Sequence, residues 1–487
     1  MGRYLVIENE PKLFELIQEA IKAIDNSADL VHFDTLHLFE KKINELKEEE
    51  KPEFLKFNLN LVGLADRPMK DWKQSILDLK NKQGLPEASI CLTAYESKAL
   101  TLNFLKQLGI YNVIFKPFDP LILKETINLA MQKDKLASAL EIKSQKSSAF
   151  IAVLKEVELE AISELGFITI SDAPVPLMGL TKYFSPIFTS GRNQSVWAQC
   201  LLTSPHPKKP GFFINKFQFY YVKKDLLNQI RKFVAHLKPQ EVSSSIWNLE
   251  AKSKTAKLKI GLVATHGPDA DGYQKDLQSH FTNLEVEFLD YSVIEGWPKA
   301  MDHDWIINAS DLQHDQIKSY FKETTKYFWI PSSDQKEETF KDLAEIYLDV
   351  FTLPHDRSYF YKKLKCHMPE LAPAEIPYLL SVTCHQIIKA ANTIKVSEVS
   401  EIFINFHYSR ELDVNSFREF IFLATAEDAA IEIPAFCQFK EKAQNTQPGD
   451  KNIFFHQFIF YAMTDHFQKE IRLWLLHNYI VQNKKEE

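Results

Sequence analysis

Part of this chain is written twice, and that constrains its fold more than any other feature. Phe213, Phe217, Phe219, Tyr220, Ile230, Arg231 and His236 align with Phe454, Phe458, Phe460, Tyr461, Ile471, Arg472 and His477. The match needs no gap over roughly two dozen positions. Upstream, Ile162-Ser163-Glu164-Leu165 pairs with Val399-Ser400-Glu401-Ile402 in the same order. The extra length of the second copy falls in Gln444–Asp450, a turn-rich stretch where a longer loop costs little closure entropy. Two matches in one order predict repeated modules, and a chain of 487 residues has room for several buried cores.

Between Tyr4 and Met131, the apolar runs Tyr4–Ile7, Leu30–His32, Leu59–Leu64, Ser89–Thr93 and Val113–Phe115 alternate with stretches at helical period. This (βα)5 pattern implies a parallel sheet covered on both faces. A charged connection to Ser148 follows. Then come the aromatic and β-branched runs Phe167–Ile170, Val196–Leu202 and Phe213–Val222, closed by a helix over Leu226–Leu237. Val242–Lys257 reads as a linker. Beyond it the order recurs, with strands at Lys259–Val263, Glu285–Leu289, Trp305–Ile307 and Tyr327–Ile330. A helix over Thr339–Phe351 suggests that this copy has lost one βα unit. A further helix is expected near Tyr378–Ala391, then β texture from Glu398 to Ala462 and a last helix over Phe467–Ile480. The expected domains are 1–136, 148–240, 257–352 and 375–482: α/β domains alternating with small β-barrels.

Composition limits the function classes. The chain is 45% hydrophobic and 25% charged, in the globular range. Its net charge of -7 argues against a large basic face for nucleic acid. The five cysteines are scattered and lack metal-type spacing, so they read as reduced thiols. The short apolar run before Glu8 is too brief for a signal peptide, and no stretch is long enough to span a bilayer. Gly2 lacks a supporting pattern for N-myristoylation. A cytoplasmic protein without membrane insertion is expected.

Leu5-Val6-Ile7-Glu8-Asn9-Glu10-Pro11, Leu92-Thr93-Ala94 and Phe115-Lys116-Pro117-Phe118 follow the first, fourth and fifth expected strands. In that order they resemble the receiver domain of bacterial response regulators, a flavodoxin-like (βα)5 fold. The resemblance implies an acidic cluster for Mg²⁺, a carboxylate that takes a phosphoryl group, and a lysine that neutralises it. Glu8, Asn9 and Asp66 would hold the metal, and Asp66, Thr93 and Lys116 would form the phosphorylation switch. Asn9 stands where such receivers carry a ligating aspartate. Counting back from Pro68 puts Leu64 at the nucleophile position, so Asp66 serves only if the loop is two residues shorter. Otherwise Lys116 pairs with Glu8 and Thr93 is a satisfied hydroxyl at the core edge. In the second α/β domain, Val263-Ala264-Thr265-His266-Gly267, Asn308-Ala309-Ser310 and Ile330-Pro331 describe a degenerate receiver.

Ala161-Ile162-Ser163-Glu164-Leu165-Gly166 resembles the Asp-x-Ser-x-x-Gly motif of PilZ domains, which bind cyclic di-GMP. The second copy reads Glu398-Val399-Ser400-Glu401-Ile402-Phe403. Ser163, Gly166 and Ser400 are thus the candidate nucleotide-binding residues, with turn formation as the alternative role. The family's paired arginines before the barrel have no counterpart; Lys155, Lys389 and Lys395 are the nearest cations, and lysine lacks the bidentate guanidinium fork. Phe217, Phe219, Phe458 and Phe460 are expected in barrel cores, and Arg231 and Arg472 in a structural ion pair or carbonyl contact, with a ligand role as the alternative. His456, His466 and His477 lack coordinating spacing. With no phosphate loop or hydrolase motif, no enzymatic constellation is present.

The expectation is a duplicated, non-catalytic signalling adaptor that docks other signalling proteins and needs no cofactor. The alternative is a response regulator or cyclic di-GMP effector with one live input, with Mg²⁺ required only if the first receiver is active.

Overall fold

The computed structural model describes residues 3–35, 37–39, 41, 54–58, 90–95, 112–131, 145–146, 149–188, 195–237, 258–264, 268–281, 284–333, 335, 339–351, 356–367, 382–422, 431–443 and 453–486. Two compact units form, and each is assembled from both halves of the sequence: Met1–Leu154 with Thr393–Glu487, and Lys155–Asn392.

In the first unit, strands β1 (Arg3–Ile7), β2 (Asp29–Phe33), β3 (Phe54–Asn58), β4 (Ile90–Tyr95) and β5 (Asn112–Lys116) form a parallel sheet in the order β2-β1-β3-β4-β5. This is the flavodoxin-like order, in which chemistry gathers at the carboxyl ends of the strands. Helices α1 (Pro11–Ile24) and α2 (Pro120–Met131) turn Ile17, Ile21, Leu123 and Ile127 onto Tyr4, Val6, Cys91 and Ile114. The third strand lies ahead of the expected Leu59–Leu64 run, which falls outside the described residues. Its alternating Leu55-Lys56-Phe57-Asn58 pattern was the missed strand signal.

The same unit holds an antiparallel domain. Its strands are Thr393–Val399, the second part of the long β17 (Val382–Val399), then β18 (Phe403–Tyr408), β19 (Phe417–Phe422), β20 (Ile431–Lys442) and β21 (Phe454–Phe460). The sixth strand is borrowed. Ala152, Val153 and Leu154, from the start of β7 (Phe150–Ile162), pair with Ile421, Phe420 and Glu419, and Val396 donates its N–H to the Ala149 carbonyl. Short β6 (Gln145–Lys146) adds to Glu398 and Val399. Ile151 and Val153 thereby join a core with Phe406, Phe420, Phe458, Ile471 and Trp474, the last two supplied by the C-terminal helix (Asp465–Glu486).

The second unit repeats this plan with the roles of the long strands reversed. Lys155–Ile162 of β7, β8 (Gly166–Ser171), β9 (Leu180–Phe184), β10 (Ser195–Pro205) and β11 (Phe213–Tyr220) run antiparallel, and helix α3 (Lys224–His236) covers the core. Here the borrowed strand is the first part of β17, whose Lys389, Ala390 and Ala391 pair with Phe184, Tyr183 and Lys182. This corrects the helix expected near Tyr378–Ala391. The Lys-Ala-Ala composition favours a helix, but the open edge of β9 supplies a hydrogen-bonding partner and the core takes up Ile388 and Ala390, so tertiary pairing overrides local preference.

Its α/β domain has strands β12 (Leu258–Ala264), β13 (Leu284–Asp290), β14 (Trp305–Asn308), β15 (Lys326–Trp329) and β16 (Tyr347–Val350) in the order β13-β12-β14-β15-β16, with helices α4 (Pro268–His280), α5 (Phe340–Ile346) and α6 (Arg357–His367). The five parallel strands overturn the expectation that a βα unit was lost. The predicted helix Thr339–Phe351 is α5 followed directly by β16, a junction hidden because Asp349 reads as the polar face of a longer helix. The C-terminal helix is α7.

The two antiparallel domains agree in fine geometry. Cys200 and Cys437 sit at matching bulges, each thiol donating to the carbonyl two residues on. Met178 and Asn415 adopt φ of 60° and 62°, and Tyr221 and Ala462 φ of 54° and 52°.

Candidate functional site

Four side chains meet at the carboxyl end of the first parallel sheet. Glu8 follows β1 and is fully buried; its Oε1 accepts the N–H groups of Asn9 at 3.1 Å and Glu10 at 3.2 Å. Lys116, the last residue of β5, is also buried. Its Nζ donates to Glu8 Oε1 at 3.1 Å and to Glu10 Oε1 at 2.7 Å. The Tyr95 hydroxyl donates to both Glu10 oxygens at 3.1 and 2.9 Å, and the ammonium lies 5.2 Å from the Tyr95 ring centroid. Hydrogen bonding to Glu10, with some desolvation, holds the Tyr95 phenol above its usual range. His32 stacks on Phe14 and bonds the Glu8 carbonyl at 2.8 Å, fixing the loop from behind.

The expected Lys116–Glu8 pair is present, but Glu10 and Tyr95 were missed. The available signal was spacing: Tyr95 stands two residues after Thr93 on the same strand face, and Glu10 two after Glu8. Thr93 is buried, yet its hydroxyl finds no hydrogen-bond partner among the described residues. Asn9 is exposed. Asp66 lies outside the described residues. By register Asn58 is level with Thr93, so an amide residue ends the third strand. Among the described residues no group of three or more His, Cys, Asp or Glu side chains is placed to hold a metal. Among the described residues the carboxylates bonded at this strand end, Glu8 and Glu10, already serve Lys116, a poor fit to Mg²⁺, which favours carboxylate oxygens in open octahedral geometry.

In the second α/β domain the third strand likewise ends in an asparagine. Asn308 Oδ1 accepts the Ser310 hydroxyl at 2.6 Å, and its amide donates to the Leu312 carbonyl at 2.9 Å. The charge here lies deeper. Lys363 of α6 and Asp349 of β16 are both buried, with Nζ 2.5 Å from Oδ2. Lys363 also donates to the Phe219 carbonyl of β11, and Asp349 Oδ1 accepts from Val350 N at 2.9 Å and Tyr221 N at 3.4 Å. Burial raises the Asp349 carboxyl above its usual range, against the pull of Lys363.

The candidate nucleotide residues form turns. Ser163 Oγ accepts Leu165 N and Gly166 N at 3.2 Å each and donates to the Gly166 carbonyl at 3.0 Å. Ser400 Oγ accepts Ile402 N at 3.2 Å and Phe403 N at 3.1 Å. Gly166 is required by close packing, since a Cβ there would lie 2.0 Å from the Phe217 carbonyl oxygen. Phe403 occupies the matching place in the other antiparallel domain.

The glutamate in each turn meets the repeated arginine. Arg231 binds Glu164 at 2.7 Å and Asp356 at 2.7 Å; Arg472 binds Glu401 at 2.6 Å and Asp119 at 3.5 Å. These are the structural ion pairs expected from the sequence. Arg231 holds the Asp356 carboxyl below its usual range. Phe217, Phe219, Phe458 and Phe460 are buried in the cores of the antiparallel domains.

His456 is a core residue whose Nε2 accepts the Leu412 N–H at 3.1 Å, and burial pushes it down to about 4. The unfolded chain therefore takes up a proton here before the native state does. Stability from His456 is complete above its ordinary value of 6.5 and is lost as pH falls toward 4. We expect about 2 kcal/mol of loss from this group, discounted for screening. Burial also lowers His367, to about 3, so the contribution is isolated by comparison. The urea midpoint of His456→Gln should fall less between pH 7 and pH 4.5 than that of the parent; equal falls refute the assignment.

No family model matches the chain, and no curated protein matches it. Solved structures do. The signal receiver domain of the DNA-binding response regulator merR from Colwellia psychrerythraea 34H is 13% identical, with 26% of this chain and 96% of that chain covered at a TM-score of 0.22. Chemotaxis response regulator CheY4 of Vibrio cholerae is 12% identical, with 27% and 98% covered at 0.22. A putative two-component system response regulator/GGDEF domain protein is 10% identical, with 76% and 99% covered at 0.20. Among the described residues no helix is long and apolar enough to cross a membrane.

Proposed function

We propose that this chain is a non-catalytic signalling regulator made by duplication of a receiver-like domain followed by a PilZ-like barrel, and that it acts by docking other signalling proteins in the cytoplasm. One observation carries the reading: the Lys116 ammonium is already neutralised by Glu8 and Glu10, at 3.1 and 2.7 Å. A receiver lysine in that setting has no net charge to offer a new phosphoryl group. The amides at the ends of both third strands agree, because an acyl phosphate needs a carboxylate. The matching bulges and left-handed residues support copying, and the Ser163 and Ser400 turns support barrels whose motif serves the backbone.

The second reading is a response regulator or cyclic di-GMP effector with one live input, at Asp66 or in the first barrel. The buried Thr93 hydroxyl favours it, since a phosphoryl oxygen at that strand end would supply an acceptor. Intact protein treated with acetyl phosphate and Mg²⁺, followed by mass spectrometry, and calorimetry with cyclic di-GMP separate the two. No mass gain and no binding heat are expected; a phosphorylated Asp66 or saturable heat selects the second reading.

A further inference from the structure

We infer that the chain is wired crosswise: the charged cluster of the first receiver-like domain is read out by the second antiparallel domain, its sequence-distant partner. The inference rests on the first α/β domain being the input module. Three connections within the first unit carry it, and all leave from β5 and α2. Lys116 ends β5, and three residues later Asp119 caps α2 through Leu121 N at 2.9 Å and binds Arg472 of α7 at 3.5 Å. Arg472 in turn holds Glu401 in the turn between β17 and β18. Ile114 in β5 forms a parallel bridge with Met463, just ahead of α7. Gln438 of β20 donates to the Leu129 carbonyl of α2 at 3.3 Å.

The second unit has the complementary set. Arg231 of α3 binds Asp356, which caps α6 through Tyr359 N at 2.9 Å; Gln218 of β11 donates to the Leu348 carbonyl at 3.4 Å; and Lys363 reaches the Phe219 carbonyl. The first antiparallel domain is thus bonded to the second α/β domain. Pro117 and the buried Phe118 leave little slack between Lys116 and Asp119, so a change in the grip of Glu10 on Lys116 displaces the Arg472 anchor.

Amide hydrogen exchange of the full-length chain tests this, comparing the parent with Glu10→Gln and Tyr95→Phe. Both variants should accelerate exchange in 112–131 and in 458–479, by about fivefold, the lower end of ordinary coupling between sites. Phe213–His236 should respond less than 458–479. Adding Arg472→Gln should weaken the response in 465–479, leaving only what the Met463 and Gln438 contacts carry, while that in 112–131 stays. A response confined to 3–131, or one larger in Phe213–His236, overturns the crosswise wiring. Either result leaves the phosphorylation and cyclic di-GMP measurements unaffected, so its failure is distinct from failure of the proposed function.

Discussion

Lys363→Ala will destabilise the second unit by about 3–5 kcal/mol, the cost of leaving one member of a buried ion pair alone. Asp349 stays enclosed with its carboxylate facing no cation, and the Phe219 carbonyl loses its donor. The partial rescue is as informative as the loss. In Lys363→Met with Asp349→Asn, the amide oxygen still accepts from Tyr221 N and Val350 N, and the methionine stem keeps the packing, so most of the stability should return. Urea denaturation monitored by tryptophan fluorescence reads both. A single substitution costing less than about 1 kcal/mol, the range of exposed ion pairs, would show that water reaches the pair.

Cutting the polypeptide between its two halves will leave it in one piece. A protease site placed in 241–256 gives two fragments, and both compact units need strands from each of them. Ile151 and Val153 from the first fragment fill the core around Phe420 and Phe458, while Ile388 and Ala390 from the second fill the core around Phe167 and Phe217. Burying an aliphatic side chain of this size contributes about 1.5–3 kcal/mol. The backbone ladders Ala152–Leu154 with Glu419–Ile421 and Lys182–Phe184 with Lys389–Ala391 add to that. The nicked protein should elute from a sizing column as one species and separate in urea. Fragments that part in native buffer would refute the exchange of strands.

The sequence made the repeated parts legible and hid their pairing. Aromatic alternation in Phe213–Tyr220 and Phe454–Phe460 located the last strand of each antiparallel domain, and the recurring arginine gave its role. Both long strands resisted reading for one physical reason: the inward positions keep a single two-residue period, but a polar residue, Lys155 in β7 and Asn392 in β17, interrupts the apolar run where the strand passes from one core to the other. In β17 the inner residues include Ile388 and Ala390 in one core and Ile394 and Val396 in the other. At the charged site, Glu8 and Lys116 were visible because they end strands. Glu10 and Tyr95 were not, although Tyr95 also ends a strand, because the reach of its hydroxyl to Glu10 follows only from where the ends of β1 and β4 converge. Asn58 was missed because the third strand was placed too late.

The borrowed strands also dictate when the molecule can finish folding. Val153 pairs with Phe420, so the segment Phe150–Leu154 leaves the ribosome 267 residues (420 − 153) before its partner is made. At ordinary synthesis rates that is a wait of about 13–53 s with apolar side chains unburied. Such distant pairing also slows the final closure of the chain. A nascent chain of this design keeps an aggregation-prone apolar segment exposed until its last hundred or so residues emerge.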